Sequence, residues 1–207
     1  MLWIDHSNRR GEHNKMHEIT AFIKQFFSHP MTVSSVVPSS KSLSLAMVCK
    51  ANIKNAKVVL EFGCGSGAIT ESIVPNLSHE SIFIAFDINK TFVEIVKQKY
   101  PNIIVINDSV ENVESYMKQY SIDKADVIIS SLPWSAFDRK LQIKLLRTIQ
   151  RILKTGGDFL TYTYLHSFVM PSQNRFKKIL NGKFRKVDVS SIVLANLPPA
   201  AVIKCIK

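Results

Sequence analysis

The sequence has few of the features that mark disulfide-bonded, metal-binding or membrane-spanning proteins. Only three cysteines occur among the 207 residues, namely Cys49, Cys64 and Cys205. They lie far apart without a CxxC pair, so neither a disulfide framework nor a zinc site is indicated. The apolar runs are short or interrupted by proline, and none reaches the ~18 residues that a spanning helix needs. The N-terminus lacks a basic segment followed by an apolar one, so we expect a cytoplasmic protein.

Acidic residues are scarce in the last third of the chain. Residues 1–137 carry 13 Lys+Arg and 13 Asp+Glu, whereas residues 138–207 carry 14 and 3, so the whole formal charge of +11 lies after residue 137. This asymmetry indicates an anionic partner, either a membrane surface or a nucleic acid. A solvated basic face without a partner is the alternative interpretation.

Short β-branched runs alternate with segments of helical period from about residue 57 onward. The strand-like runs are 58–62, 81–86, 102–106, 125–130 and 157–164. Such alternation is typical of βαβ units around a parallel sheet. Two further runs, 184–194 and 201–207, have no helical pattern between them, so we expect them to pair antiparallel. The sequence predicts a doubly wound, seven-stranded mixed α/β sheet over residues 56–207.

The first 55 residues have a different character and are predicted to form a helical extension. Apolar residues from Met16 to Phe27 recur on one side of a helix, which favours either a lid or a helix that docks on lipid. A second helix is expected over 41–51, with Ser39 or Ser40 as its N-cap.

A glycine-rich loop follows the first strand of the sheet. Gly63, Gly65 and Gly67 precede a helix expected to begin near Ala68. Glycines let the backbone approach a ligand, and a helix N-terminus offers free N–H groups, so the loop predicts a nucleotide-type site. The pattern also satisfies the GxGxxG/A form of NAD sites. Acids stand at three successive strand ends, namely Glu61, Asp87 and Asp108.

Together these features resemble class I S-adenosylmethionine-dependent methyltransferases, whose pattern covers residues 57–165 here. The resemblance implies a Rossmann-like fold and S-adenosylmethionine as cofactor. It places Glu61 and the glycines at the methionine moiety, Asp87 at the ribose and Asp108 at the adenine region. The residues assigned to the cofactor are Glu61, Gly63, Gly65, Gly67, Asp87, Ile88, Asp108, Ser109 and Ser130.

The SSLPW segment, residues 130–134, lies at the carboxyl end of the fourth strand, where such sheets bind ligands. In methyltransferases that act on adenine amines this position typically reads N/D-P-P-Y, with an aromatic ring that stacks on the base. Here Ser131 replaces the Asn or Asp and Trp134 replaces the Tyr. An adenine target therefore stays open as an alternative.

Three segments resemble bacterial phospholipid N-methyltransferases more closely: an upstream PSS, a Thr-Tyr pair on the fifth strand and NLPPAAV near the C-terminus. The resemblance runs over residues 20–206. It departs from the family at Cys64, Ser131 and Leu194-Ala195. It assigns to the acceptor site Ser39, Ser40, Ser131, Leu132, Pro133, Trp134 and Asn196. Methyl transfer to an amine is a direct displacement that depends on alignment and demands no strong base. The resemblance makes Tyr164 the candidate catalytic residue, because it matches the Thr-Tyr pair of the family and could relay the proton or orient the ammonium; Tyr162 and His166 are alternatives.

A basic stripe follows the fourth strand. Its members, spaced by three or four residues, are Lys140, Lys144, Arg147, Arg151 and Lys154. Apolar residues on the opposite side, such as Leu141 and Leu145, are expected to pack on the sheet. The stripe suits an anionic phospholipid surface and would also attract nucleic acid. The sequence thus predicts a peripheral membrane N-methyltransferase acting on the ethanolamine amine of a phospholipid. An RNA adenine N-methyltransferase and a non-catalytic nucleotide-binding module are the alternatives.

Overall fold

The computed structural model describes residues 40–207, which all belong to one compact unit. The strands are β1 Val58–Phe62, β2 Ile82–Asp87, β3 Ile104–Asn107, β4 Ala125–Ser130, β5 Leu153–Tyr164, β6 Lys186–Val189 and β7 Ala200–Ile206. The α-helices are α1 Lys41–Lys50, α2 Thr70–Ile73, α3 Lys90–Lys99, α4 Val113–Gln119, α5 Arg139–Ile152 and α6 Pro171–Asn181. Five short 3₁₀ turns complete these elements: Ile53–Asn55, Val74–Asn76, Val110–Asn112, Trp134–Ala136 and Leu165–Val169. The predicted helix from Met16 to Phe27 and the predicted cap Ser39 lie outside the described residues.

The strands form one sheet in the order β3-β2-β1-β4-β5-β7-β6. Strands β1 to β5 pair in parallel, and β7 pairs antiparallel with both β5 and β6. The predicted mixed, doubly wound sheet is confirmed. Because the strand order reverses between β1 and β4, the carboxyl ends of these two strands border a crevice of the kind in which doubly wound sheets bind ligands.

The run 184–194 forms a shorter strand than predicted. β6 ends at Val189 because the side chain of Ser190 takes the place of a backbone acceptor in the pairing with β7. The Ser190 backbone N–H still donates to Val202 O at 2.8 Å, but Val202 N donates to the Ser190 hydroxyl, at 3.0 Å. Only an isolated bridge between Val193 and Ala200 continues the pairing. The residues between β6 and β7 therefore form a loop at the carboxyl edge of the parallel strands.

The sheet is covered on both faces. Alternate residues of a strand point to opposite faces, and β5 illustrates this arrangement. Leu160 joins a core with residues of α1, α2 and α3, such as Met47, Ile73 and Val96. Phe159 packs on the other face against Trp134 and Phe184, in the layer that contains α5 and α6.

Helix α1 belongs to this core, whereas the sequence placed it in the extension that ends at residue 55. Ser40 caps the helix as predicted, since its hydroxyl accepts from Leu43 N at 3.2 Å. Leu43, Met47 and Val48 are buried against the sheet. The core contacts of this helix, which periodicity alone does not reveal, explain the difference from the predicted boundary.

Helix α5 is amphipathic as predicted. Asp138 caps it by accepting from Leu141 N at 2.7 Å, and Leu141, Leu145 and Ile149 are buried. The helix ends at Ile152 because Leu153 takes an extended conformation and pairs with Ala125. Lys154 therefore lies on β5 and not on the helix. Within residues 40–207, no helix has the length and apolar character that crossing a bilayer requires.

Candidate active site

The glycine loop between β1 and α2 is held at the sheet edge by its backbone. The N–H groups of Gly63 and Cys64 donate to Phe86 O at 2.8 and 3.1 Å. Gly63, Gly65 and Gly67 all have positive φ angles, of 80°, 52° and 88°, a region that other residues rarely adopt. At Gly67 a Cβ would also lie 3.3 Å from a Val96 methyl. This left-handed turn delays the helix, which begins at Thr70 and not near Ala68.

Glu61 is a fully buried carboxyl group beneath this loop. Its Oε2 accepts a hydrogen bond of 2.7 Å from the hydroxyl of Thr70, and its Oε1 has no partner among the described residues. Burial, together with the nearby charge of Asp87, raises the pKa of Glu61 to about 7 although the Thr70 hydrogen bond lowers it. Thr70 is a site residue that the sequence analysis missed; its place as a hydroxyl residue at the start of the helix that follows the glycine turn is the signal that could have identified it.

Asp87 ends β2 beside the glycine loop, where the sequence placed it. Its two carboxylate oxygens accept from backbone N–H groups, Oδ2 from Gly65 and Oδ1 from Asn89, each at 2.8 Å. Burial raises its pKa despite these hydrogen bonds. Ile88, also assigned to the cofactor, follows directly and is half-buried. Asp87 therefore ties the loop after β1 to the loop after β2.

Asp108 follows β3 and is engaged by protein donors. Its carboxylate accepts from the backbone N–H of Ser109 at 2.6 Å, from the Asn112 amide at 3.0 and 3.1 Å and from the Tyr116 hydroxyl at 2.9 Å. Ser109 in turn caps the short helical turn by accepting from Glu111 N at 3.3 Å. The assignment of Asp108 and Ser109 to the adenine region stays a prediction, since in this state their side chains order the turn into α4.

The loop after β4 lies against the glycine loop. Ser131 N donates to Phe62 O at 2.8 Å, and a Cβ on Gly63 would lie 3.4 Å from Leu132 Cδ2. Leu132 is buried and Pro133 is half-buried. Ser130 is fully buried, and its hydroxyl accepts from Leu132 N at 3.3 Å and from the indole Nε1 of Trp134 at 3.1 Å. The Ser130 side chain thus holds this loop in place through hydrogen bonds to two of its residues.

Trp134, predicted to contact the acceptor, is a core residue. Its side chain is 2% exposed and stacks on Phe176 with ring centroids 5.0 Å apart. Phe137 and Phe159 pack against it edge-on. Adenine-type stacking by Trp134 is therefore wrong, because the ring is committed to the layer between the sheet and α6.

Tyr164 ends β5 and pairs with Ala200. It is half-buried, its ring packs edge-on against Tyr162, and it stacks on the exposed ring of His166 at 5.6 Å. Tyr162 and Tyr164 lie at the carboxyl end of β5, the strand next to β4, and His166 lies in the 3₁₀ turn that follows it. Tyr164 is therefore at the edge that carries the glycine loop, and its catalytic role stays a prediction.

Asn196 connects two segments that the sequence assigned to the acceptor. Its Oδ1 accepts from Ser40 N at 2.9 Å and its Nδ2 donates to Pro198 O at 2.6 Å. The residue is 3% exposed. Both polar ends of the Asn196 side chain are thus used within the protein, which makes it a structural clamp and not a direct acceptor contact.

The basic stripe is partly neutralised. Lys144 pairs with Glu111 at 2.5 Å, and Arg151 pairs with Glu114 at 2.8 Å. Lys154 pairs with Asp126 at 3.1 Å. Lys140 and Arg147 form no ion pair with a carboxylate of the described residues, so two of the five cations in the predicted stripe are left unpaired there.

The cleft between the loops after β1, β2 and β4 fits a cationic ligand that carries a ribose. Two buried carboxyl groups, Glu61 and Asp87, lie on adjacent strands beneath these loops, and one Glu61 oxygen lacks a partner within residues 40–207. An unpaired buried carboxylate is costly, so a positively charged group beside it would be stabilised. The backbone of the glycine loop leaves room for close approach. These are the properties required to hold the sulfonium of S-adenosylmethionine.

Comparisons with known proteins find similarity to methyltransferases. A family model described as a methyltransferase domain matches residues 59–157, the range that includes the glycine loop and Asp87. The chain is similar to the ornithine lipid N-methyltransferase of Singulisphaera acidiphila, with 28% identity over 193 residues that cover 92% of this chain and 96% of the relative. It is also similar to the ribosomal RNA small subunit methyltransferase A of Malacoplasma penetrans, with 29% identity over 200 residues that cover 89% and 71%.

Among solved structures, the fold resembles that of a SAM-dependent O-methyltransferase from Thermotoga maritima. The TM-score is 0.60 at 13% identity, over 86% of this chain and 69% of that chain. The fold and the cleft are those of a class I S-adenosylmethionine-dependent methyltransferase. The protein is an S-adenosylmethionine-dependent methyltransferase that resembles lipid N-methyltransferases, and S-adenosylmethionine, not NAD, is its cofactor.

Proposed function

We propose that the protein transfers methyl groups to the primary amine of a membrane lipid, with the ethanolamine headgroup of phosphatidylethanolamine as the preferred acceptor. The supporting observation is the similarity to the ornithine lipid N-methyltransferase, which extends over 92% of this chain and 96% of the relative. The alignment therefore includes the regions outside the cofactor motifs. Phosphatidylethanolamine and ornithine lipid both carry a primary amine, and the acyl chains of both lipids anchor them in the bilayer.

The residues around the cleft suit this chemistry. Bound S-adenosylmethionine supplies an electrophilic methyl carbon attached to a sulfonium. Glu61 and Asp87 provide negative charge on the cofactor side, and burial strengthens their interaction with a cation. The acceptor amine must reach the cleft in its neutral form and in line with the bond that breaks, so positioning supplies much of the rate.

Tyr164 is the proposed residue on the acceptor side. It stands at the end of β5, one strand away from Ser130 and the loop that touches Gly63. Its hydroxyl would orient the amine or accept the proton that the amine releases. Tyr164→Phe keeps the ring and its stacking on His166, so we expect kcat to fall about 100-fold while calorimetric affinity for S-adenosylmethionine stays unchanged. A wild-type kcat would assign that role elsewhere.

RNA methylation is the second candidate. It is favoured by the similarity to the ribosomal RNA methyltransferase of Malacoplasma penetrans over 89% of this chain and by the net charge of +11 after residue 137. Because the ring of Trp134 is buried, it is not available to stack on an adenine base at this position. The lipid acceptor is therefore preferred.

The test incubates the full chain with S-adenosylmethionine carrying a radiolabelled methyl group. Phosphatidylethanolamine vesicles, ornithine lipid vesicles and total RNA are offered separately. We expect label in phosphatidylethanolamine, and much less of it at limiting S-adenosylmethionine when Asp87→Ala replaces the wild type. Label confined to ornithine lipid would show that the acceptor is ornithine lipid and not phosphatidylethanolamine. Label confined to RNA would overturn the proposal in favour of the second candidate.

A further inference from the structure

Two loops expose an unusual amount of apolar side chain. Val169 is 84% exposed, Leu194 75% and Leu197 77%. Leu165, Met170 and Ile192 on the same loops are each more than 40% exposed. We call these six residues the apolar rim. Isolated exposed apolar residues are ordinary, but a group on adjoining loops marks an interaction site.

The two loops are neighbours at the edge of the sheet that carries the active site. One follows the carboxyl end of β5, and the other connects β6 to β7. Leu165 N donates to Pro199 O at 2.8 Å, which joins them directly. The Ser40–Asn196 hydrogen bond places the start of α1 at the same edge. The rim therefore borders the acceptor side of the cleft.

The charges around the rim favour an anionic partner. There is no Asp or Glu in residues 159–187 or 189–207. Helices α5 and α6 both begin at this edge, and Arg139, Lys140 and Arg175 lie in their first turns or close to them. None of these cations forms an ion pair with a carboxylate within the described part of the chain. Asp138, the nearby acid, is engaged as the N-cap of α5.

We propose that the apolar rim docks on an anionic lipid bilayer and presents the cleft to headgroups at its surface. This inference rests on the proposed lipid acceptor, whose acyl chains stay in the membrane while its amine enters the site. Exposed leucine and valine side chains enter the interfacial layer, and the unpaired cations are attracted to anionic headgroups. Docking by this edge, and not by the basic face of α5, brings the bilayer next to Tyr164 and the glycine loop.

The test compares two triple variants of the full chain. The rim variant carries Val169→Asp, Leu194→Asp and Leu197→Asp. The matched control carries Ile82→Asp, Ile95→Asp and Tyr120→Asp, which add the same charge at apolar residues about 40% exposed and remote from this edge. Sedimentation with vesicles of phosphatidylcholine and phosphatidylglycerol measures binding, and calorimetry with S-adenosylmethionine reports whether the fold is intact.

We expect the rim variant to lose vesicle binding roughly tenfold or more, with cofactor affinity unchanged and the control close to wild type. Turnover of a short-chain phosphatidylethanolamine dissolved as monomers should be retained. If that turnover is absent in every variant while the rim variant alone loses vesicle binding, the docking surface stands and the proposed function fails. Wild-type vesicle binding by the rim variant, equal losses in the control, or no binding by the wild type would overturn the proposal. So would conversion of a dimer to a monomer by the rim substitutions, because the rim would then join two copies of the chain.

Discussion

The backbone N–H of Ser40 donates a hydrogen bond of 2.9 Å to Oδ1 of Asn196, 156 residues further along the chain. The hydroxyl of Ser40 is used separately, as the cap of α1. The Asn196 amide also holds Pro198 O. One buried side chain thus connects the start of α1 to the loop before β7, and it brings together two of the segments that resemble the lipid methyltransferases.

Asn196→Ala should destabilise the fold by about 1 to 3 kcal/mol, because it leaves Ser40 N and Pro198 O without this partner. Urea unfolding measures the change. Ser40→Ala removes only the cap and should cost about 1 kcal/mol. The Asn196 bond uses the backbone of Ser40, so the two effects should add in the double variant. Unchanged stability for Asn196→Ala, together with loss of acceptor binding, would restore Asn196 to the acceptor site.

Asp87→Ala should weaken S-adenosylmethionine binding by about 1.5 to 3 kcal/mol, because a charge-assisted contact to the ribose is removed. Calorimetry measures this directly. Asp126→Ala is the matched control: Asp126 also accepts from two backbone N–H groups, those of Lys57 and Val58, both at 3.0 Å. It lies at the opposite edge of the sheet. Equal losses of affinity in the two variants would mean that general destabilisation, and not ribose binding, is measured.

Stability should depend on pH through Glu61. Burial raises its pKa from 4.5 to about 7 in the folded protein, so between these values the folded state holds a proton that the unfolded state has lost. Stability is therefore highest below about pH 4.5 as far as this group is concerned. Stability falls as pH rises to about 7. Above that pH the ionised Glu61 lowers the free energy of unfolding by on the order of 3 kcal/mol.

Glu61→Gln should remove most of this slope in urea unfolding measured between about pH 5 and pH 8. Glu71→Gln, one residue past Thr70 and exposed, is the control and should keep it. Cofactor binding should release a proton near pH 6, because a bound cation favours the carboxylate form of Glu61. An unaltered slope in Glu61→Gln would show that this carboxyl is not the group that titrates.

Trp134→Phe should lower stability and leave the KM for the acceptor unchanged. The substitution keeps an aromatic ring against Phe176 but removes the indole N–H that Ser130 accepts, at a cost of about 1 to 3 kcal/mol. Thermal unfolding and steady-state kinetics with short-chain phosphatidylethanolamine check both parts. A raised KM at wild-type stability would return Trp134 to the acceptor site.

The features that depend on local chemistry were readable from the sequence. The alternation of β-branched runs with segments of helical period predicted the sheet, and the helical period predicted α5. Gly63, Gly65 and Gly67 marked the cofactor loop because each needs a positive φ. The Ser40 cap was also predicted. These features lie within a few residues of the signals that indicate them.

The features that depend on tertiary packing were not readable. SLPW matches a motif with a stacking aromatic, but Trp134 turns inward because Phe176 and Phe159 offer a deeper apolar site. The ion pairs that Lys144 and Arg151 form with Glu111 and Glu114 could not be read from the stripe's spacing, because the two acids lie on other elements. Asn196 was assigned to the acceptor because sequence cannot show that Ser40 N lies opposite it.

The most direct test of the central claim is mass spectrometry of phosphatidylethanolamine after incubation with the full chain and S-adenosylmethionine. The headgroup fragment should gain the mass of one or more methyl groups while the acyl fragments stay unchanged, and the gain should be much smaller in the Asp87→Ala reaction at limiting S-adenosylmethionine. An unmodified headgroup, from protein that binds S-adenosylmethionine normally by calorimetry, would contradict the account.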